Sequence, residues 1–198
     1  MKTIFRLVVI VLAGGFAVMA NAASPKATGY LSDYDRLVEG EYLEAYWIDM
    51  AVIQRSKRPN VLLGEIATQE ISDHKGVTVA DCVGWLKNDL LSGAVVSADQ
   101  GAPYRLDLAI TYMDPGSAAK RILAAEFGAG HALLQIEGKV VDVKTGAVVA
   151  EFAERRRSSG GIGLEDLGGD AGPHIIEHLV GLISTDVNSE LQASFVAR

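Results

Sequence analysis

The chain has 198 residues, with 25 Asp and Glu against 18 Lys and Arg, and a formal net charge of −7. An acidic balance of this kind argues against binding to nucleic acid or to anionic membrane surfaces. The single cysteine, Cys82, excludes an internal disulfide bond, and its place in a stretch with helical spacing indicates a packed side chain. The length suits one domain with a core of its own.

The first segment has the features of an export signal. A positively charged start precedes an apolar run from Leu7 to Met19, which is too short to span a bilayer. Ala20-Asn21-Ala22 places small residues at the two positions that a signal peptidase reads, and this predicts cleavage after Ala22. Because no cysteine lies near that point, no lipid anchor is expected. The predicted organisation is a signal peptide over residues 1–22 and a single exported or periplasmic α+β domain over residues 23–198.

After the signal, residues 23–40 are predicted to form an extended arm. Its second half is dense in large apolar groups that need a surface to pack on, so we expect the arm to lie over the main domain. The next stretch, Glu41 to Ile53, fits two structures. The helical interpretation rests on Tyr42, Tyr46 and Met50. Because Tyr46-Trp47-Ile48 also suits a strand, the sequence leaves both open.

A strand and a helix are predicted next. The run Val61 to Ile71 is predicted to be a strand, and Val77 to Leu91 has the spacing of an amphipathic helix. The helix positions expected to face the core are Val79, Val83, Leu86 and Leu90.

The stretch Tyr104 to Tyr112 alternates apolar and polar side chains, which predicts a strand with one buried and one polar face. The buried face would carry Tyr104, Leu106, Leu108, Ile110 and Tyr112. Asp114-Pro115-Gly116 then favours a type II turn, because Pro presets φ and Gly tolerates a positive φ. Ser117 is suited to cap a short helix from Ala118 to Phe127, and Gly128 to end it.

The stretch Ala132 to Arg157 is predicted to form a β-hairpin, whose first strand alternates apolar and polar side chains. Its apolar positions are Ala132, Leu134, Ile136 and Val140. Lys144-Thr145-Gly146 interrupts the run as a three-residue loop whose Gly needs a positive φ. The return strand would place Val148 and Phe152 on one face.

The chain is predicted to end with a Gly-rich loop, Ser158 to Gly172, and a helix from Pro173 to about Ala193. The predicted order is therefore strand, helix, strand, short helix, strand, strand and helix. Strands paired by a hairpin, with helices before and after them, indicate an α+β fold. We expect a two-layer sandwich, with an antiparallel or mixed sheet of about four strands and the helices on one face.

Four motifs taken together resemble a known family. They are Asp114-Pro115-Gly116-Ser117, Phe127-Gly128-Ala129-Gly130, the run from Gly138 to Gly146, and Ser159-Gly160-Gly161. Over roughly Asp107 to Leu182 the chain resembles the domain of unknown function 4410, a family of uncharacterised exported and envelope proteins of bacteria. The arm, from Gly29 to Tyr34, is similar to the opening of the domain of unknown function 3313 lipoproteins. The resemblance implies an envelope location and a compact α+β domain, and it implies no catalytic residues.

His174-Ile175-Ile176-Glu177-His178 matches the H-x-x-E-H pattern of a zinc-peptidase family. Two His residues four positions apart lie on one face of a helix, and Glu177 would act as the general base. A zinc-dependent hydrolase that uses His174, Glu177 and His178 is therefore an alternative function. Such a site also needs a third protein ligand, and the pattern starts at the first turn of the helix, off its apolar stripe. A solvated helix start explains these residues better.

Two further motifs have ordinary structural explanations. The run from Ser158 to Gly163 lacks the Gly-Lys-Ser/Thr ending of a phosphate-binding loop and does not lead directly into a helix. Glu154-Arg155-Arg156-Arg157 is interpreted as a solvated strand end that discourages edge pairing. The sequence therefore predicts no catalytic residues, no cofactor and no metal site other than the zinc alternative.

The insert from Asp114 to Gly130 is longer than most connections in compact domains, so it either forms a contact surface or only covers one end of the sheet. Its small residues would let a partner approach closely, with basic side chains at the rim. The candidate interaction surface consists of Lys120, Arg121, Phe127, Gly128 and Gly130. The preferred function is a non-enzymatic interaction, accessory or assembly factor of the cell envelope. Its expected partners are proteins or further copies of itself, and not nucleic acid.

Overall fold

The computed structural model describes residues 24–57, 59–69, 71–74, 76–117, 131–158 and 171–196. The strands within them are β1 (Ala45–Ile48), β2 (Val61–Thr68), β3 (Val96–Ser97), β4 (Tyr104–Asp114), β5 (Leu133–Asp142) and β6 (Val148–Arg157). The helices are α1 (Val79–Ser92) and α2 (Ala171–Phe195).

The strands form one mixed sheet in the order β1-β6-β5-β4-β2-β3. β2 runs parallel to β3 and to β4, and the other neighbouring pairs are antiparallel. The predicted α+β class and mixed sheet are confirmed, but the described sheet has six strands rather than about four. The two strands that were not predicted are the short edge strands. β1 falls in the stretch that fitted both helix and strand, and β3 has only 2 residues, too few to show a period.

The core lies between the sheet and the two helices, which also pack against each other. The predicted core residues that are buried are Leu86, Leu90, Leu108, Ile110, Leu134, Ile136, Phe152, Leu179 and Ile183. Val79 and Val83 are only partly buried at the margin of the core, because α1 turns the side chains of Cys82, Leu86 and Leu90 toward the sheet. The packed role of Cys82 is confirmed: its side chain is fully buried, and burial raises the pKa of its thiol to about 12.

Two β-bulges change the faces that the alternation predicted. A register shift in β4 just before Tyr112 turns that side chain to the opposite face, where it is 38% exposed. A second register shift, between β5 and β6, pairs Val148 with Val141 and places its side chain on the face opposite to that of Phe152. The predictions that Tyr112 is buried and that Val148 shares a face with Phe152 are therefore wrong. A bulge adds one residue to one strand and so reverses the alternation beyond it.

The local turn and capping signals behave as their chemistry requires. Gly116 and Gly146 have φ values of 74° and 73°, which confirms both predicted positive-φ turns. α1 begins at Val79 rather than Val77 because Thr78 caps it. The Thr78 hydroxyl oxygen accepts the Asp81 N–H, and the Asp81 carboxylate accepts the Thr78 N–H.

Three predicted features lie outside the described residues: the signal peptide with its cleavage point, the short helix from Ala118 to Phe127, and most of the Gly-rich loop. α2 begins at Ala171, slightly before the predicted Pro173. In the part of the chain that the structure describes, neither helix has the length and apolar character needed to cross a membrane.

Candidate functional site

The interaction surface predicted from the sequence lies outside the described residues. Its members are Lys120, Arg121, Phe127, Gly128 and Gly130. That surface stays a prediction, and the described part of the molecule offers others.

The H-x-x-E-H residues lie on the first turns of α2, where the side chains of His174 and Glu177 are 86% and 51% exposed. His174 Nδ1 is 3.8 Å from Glu177 Oε2, which allows an ion pair when the ring is protonated. His178 lies one turn further on, beside a shallow groove between the helices. Among the described residues, no group of three His, Cys, Asp or Glu side chains could hold a metal ion. The zinc alternative therefore gains no support from this geometry.

The sheet face opposite the helices is polar, and the N-terminal arm covers it. Gln135 and Glu137 of β5 and Glu151 and Arg155 of β6 are each at most 5% exposed. Alternation predicted that the polar side of the hairpin would face water. It is buried instead because the arm, residues 26–36, hydrogen-bonds across it.

Glu137 holds the first part of the arm. Its Oε1 accepts a hydrogen bond from Thr28 Oγ1 at 2.7 Å, and its Oε2 accepts one from the Tyr34 hydroxyl at 2.5 Å. The Tyr34 oxygen in turn accepts the backbone N–H groups of Thr28, Gly29 and Leu31. The arm therefore folds around one phenol oxygen, and a buried carboxylate fixes that oxygen to the sheet.

Glu151 holds the second part of the arm. Its Oε1 accepts the backbone N–H and the hydroxyl of Ser32 at 3.0 and 2.9 Å. Its Oε2 lies 2.5 Å from Arg36 Nη2, and the Arg36 guanidinium stacks 3.5 Å from the ring centre of Trp47. Charge-assisted hydrogen bonds of this kind are stronger than neutral ones, so two glutamates anchor the arm.

A second ionic group lies where β6 meets α2. Arg156 Nη2 donates to Asp186 Oδ2 at 2.7 Å, and Arg156 Nε lies 2.7 Å from Glu154 Oε1 without hydrogen-bond geometry. Glu154 Oε2 accepts the Glu44 N–H at 2.6 Å. Burial raises the pKa of Glu154 to about 7, although the Glu44 N–H and the Arg156 charge act to lower it. Burial also raises the pKa of Asp186.

The interpretation of Glu154 to Arg157 as a solvated strand end is therefore wrong. Glu154 and Arg155 are buried, and the Arg156 side chain is only 14% exposed. The interpretation assumed that the return strand lies at the edge of the sheet. β1 pairs with β6 on that side, the arm covers one face of β6, and α2 contacts the other.

Among the described residues, β2 has no partner strand on one of its two sides over most of its length. β3 pairs only with Val61 and Leu62, so no described strand lies beside residues 63–68 on that side. On its other side β2 pairs with β4, with a bulge between Leu63 and Ile66. A free edge presents backbone N–H and C=O groups to which another extended segment can bond.

An apolar groove of about 320 Å³ runs between this edge and α1, and we call the two together the edge groove. Its walls include Leu63 and Ile66 of β2, Val83, Lys87 and Leu91 of α1, and Gln100. The four apolar side chains are partly buried and continue the core to the surface. The α1 residues are spaced by four positions, so they share one face of the helix.

A wider, polar depression of about 940 Å³ lies where β2 and β4 end. Several polar groups of its wall are engaged within the fold. Thr28 and Thr111 donate their hydroxyl protons to Glu137, and the His74 ring bonds to the Met113 carbonyl. The edge groove, with a strand edge that no described strand covers and an apolar floor, is the better candidate site.

Neither a protein-family model nor a curated protein matches the chain. Among solved structures, the PelC dodecamer from Paraburkholderia phytofirmans is 16% identical, with 69% of this chain and 96% of that one covered and a TM-score of 0.41. A Xanthomonas campestris protein of the domain of unknown function 330 family is 12% identical, with coverage of 71% and 91% and a TM-score of 0.43. A lipoprotein from Neisseria meningitidis is 13% identical, with coverage of 68% and 99% and a TM-score of 0.37. Likeness at this level transfers no activity, substrate or partner to this chain.

These comparisons change two expectations. The resemblance to the domains of unknown function 4410 and 3313 is not confirmed, because no family model matches the chain. The prediction that the chain has no lipid anchor is contradicted and is withdrawn. The similar structures include lipoproteins from Neisseria meningitidis and Acinetobacter baumannii, and lipoproteins carry such an anchor.

Proposed function

We propose that the protein is an exported envelope protein that acts through protein–protein contacts rather than catalysis, and that the edge groove is its contact site. The observation that carries the proposal is the free edge of β2 beside an apolar groove. In such a site, main-chain hydrogen bonds supply affinity, and the adjacent pocket selects side chains.

The export part of the proposal rests on the signal features of residues 1–22. Cleavage after Ala22 would leave the arm close to the new N-terminus. The arm would then bind over the polar sheet face through Glu137 and Glu151 once the signal is removed.

Site-specific photo-crosslinking tests the proposal. A photoreactive amino acid replaces Gln100, whose side chain is exposed in the wall of the edge groove, in the full chain expressed in its native host. We expect one discrete protein adduct in the envelope fraction, identified by mass spectrometry. The same measurement gives the mature N-terminus, which is expected at Ala23.

The matched control places the same amino acid at Lys144, which is exposed in the loop between β5 and β6. No adduct is expected there, because this loop lies on the hairpin and outside the walls of the edge groove. Identical adducts from both positions, or none from position 100, would contradict the assignment of the contact site.

A further inference from the structure

We infer that the edge groove binds an extended peptide strand of a partner protein. The side chains that this strand turns toward α1 are apolar, acidic and apolar in turn, and those that it turns toward the arm are basic. The inference rests on the proposed function and names the chemistry of the partner. Of the 8 residues of β2, β3 pairs with only Val61 and Leu62. The rest offers roughly 20 Å of backbone edge, enough for a strand of common length.

The apolar requirement follows from the walls of the groove. Side chains of an added strand alternate, so its residues i, i+2 and i+4 point to the α1 side. There they meet Leu63 and Ile66 from β2 and Val83 and Leu91 from α1. Aliphatic side chains placed here would remove both partners' apolar surface from water.

The acidic requirement follows from Lys87. This residue lies midway between Val83 and Leu91 on the same face of α1, so its ammonium group divides the apolar wall into two parts. Lys87 is exposed and forms no ion pair with any residue that the structure describes. The partner therefore needs a carboxylate between its two apolar side chains.

The basic requirement follows from Glu65, on the other side of the same edge. Glu65 lies at the bulge of β2, where its backbone N–H donates to the carboxylate of Asp107. Asp107 alternates with the buried Leu106 and Leu108 and so lies on the sheet face away from the helices, and we place Glu65 beside it on that face. Glu65 is exposed, and no described cation forms an ion pair with it. A basic side chain next to the partner's acidic one would meet Glu65.

The same charges disfavour a second copy of β2 as the occupant. The strand reads VLLGEIAT and has no basic residue to place against Glu65. Two β2 strands paired about a twofold axis would bring their Glu65 carboxylates onto the same face near each other, which is destabilising. A partner of different sequence fits better.

Designed heptapeptides test the inference. The probe Thr-Val-Lys-Glu-Lys-Val-Thr reads the same in both directions, so it presents Val, Glu and Val to α1 and Lys to Glu65 whichever way it binds. The matched control exchanges the charges: Thr-Val-Glu-Lys-Glu-Val-Thr. We expect the wild-type protein to bind the probe roughly three- to ten-fold more tightly than the control, since each exposed ion pair contributes modestly. NMR titration should show the changes at the amides of residues 63–68 and 83–91.

The double variant Glu65→Lys with Lys87→Glu should reverse the preference. Both positions are exposed, so the variant should keep its fold, and wild-type amide shifts elsewhere would verify this.

A probe with N-methylated backbone amides should not bind, because it cannot pair with β2. Equal binding of both peptides, no binding, or binding of the N-methylated probe would overturn the inference. A concentration-dependent dimer that the variant abolishes would also overturn it, in favour of a second copy. A discrete adduct from position 100 without peptide selectivity would refute only the partner chemistry and leave the proposed function standing.

Discussion

Glu154 is a charged residue at a position of β6 that the fold turns toward the helices, opposite the fully buried Ile136. Removal from water opposes ionisation of its carboxyl group and raises the pKa to about 7. The Glu44 N–H and Arg156 compensate only in part. Near neutral pH the buried carboxyl group is therefore protonated in part of the molecules.

We expect Glu154 to make the protein less stable as the pH rises from about 4.5 to about 7. In this interval the native carboxyl, with its pKa near 7, binds more protons than the unfolded one, whose pKa is 4.5. Raising the pH therefore favours the unfolded state, by on the order of 3 kcal/mol in total. Glu154→Gln cannot titrate and keeps an acceptor for the Glu44 N–H. The variant should be more stable than the wild type above pH 7, as measured by urea unfolding at successive pH values.

The control for this experiment is Glu177→Gln, which removes an exposed carboxylate from α2. Its stability curve should follow that of the wild type. Burial also raises the pKa of Asp186, so the stability of the Glu154 variant should still fall as the pH rises, but with a smaller slope. If the Glu154 variant and the wild type lose stability in parallel, the buried carboxyl does not control the pH dependence.

At the scale of elements, β5 is enclosed on both edges and on both faces. It pairs with β4 and β6, its helix-facing side chains are buried in the core, and the arm covers its polar side. Gly138 leaves room for the Phe152 ring, which a Cβ atom at this position would touch. The strand's alternation was predicted from the sequence, whereas its double burial depends on these neighbours.

Truncation of Ile136 to Ala should lower the free energy of unfolding by about 2–5 kcal/mol, because the fully buried side chain would leave a cavity. Denaturant unfolding measures the change. Val143→Ala provides a matched control in the loop after β5, where Val143 is 49% exposed, and its effect should stay within about 0.5 kcal/mol. A loss for Ile136→Ala as small as that of the control would refute the assignment of this face to the core.

At the scale of the whole molecule, the arm joins the start of the described chain to the centre of the sheet. Thr28 and Tyr34 reach Glu137, and Ser32 and Arg36 reach Glu151, all across more than a hundred positions of sequence. These contacts hold the Glu151 carboxylate and add to the hydrogen bonds that Glu137 receives from Thr111 and Gln135. The arm and the polar sheet face therefore stabilise each other.

The variant Tyr34→Phe should loosen the arm without unfolding the domain. It removes a donor to Glu137 and the acceptor of three backbone N–H groups, a loss of about 1–3 kcal/mol. Amide hydrogen exchange should become roughly 5- to 100-fold faster over residues 26–36. The control Tyr112→Phe changes a tyrosine outside the arm and should leave that exchange unaltered. Unchanged protection of the arm in the Tyr34 variant would show that other contacts hold it.

Part of the edge groove could be predicted from the sequence. The strand from Val61 and the helix that ends near Leu91 were both predicted, and Val83 was assigned to the apolar side of that helix. The free edge could not be predicted, because it depends on a partner strand of 2 residues that pairs with only the start of β2. The positions of Glu65 and Lys87 on opposite sides of that edge depend on the bulge and on the packing of α1.

The sequence by itself determined the local elements of this protein: the alternation of β4 and β5, the helical period of α1, and the turns at Gly116 and Gly146. Those signals are local because side-chain periodicity and turn chemistry act over a few neighbouring residues. Only the tertiary structure decided which polar residues are buried and which backbone edge stays open. Thr28 meets Glu137 across 109 positions, and an added edge strand encloses Glu154. Such contacts join distant segments, and the sequence pattern of neither segment indicates that the contact forms. A polar stripe that resembles a solvated surface can therefore be covered by a distant arm.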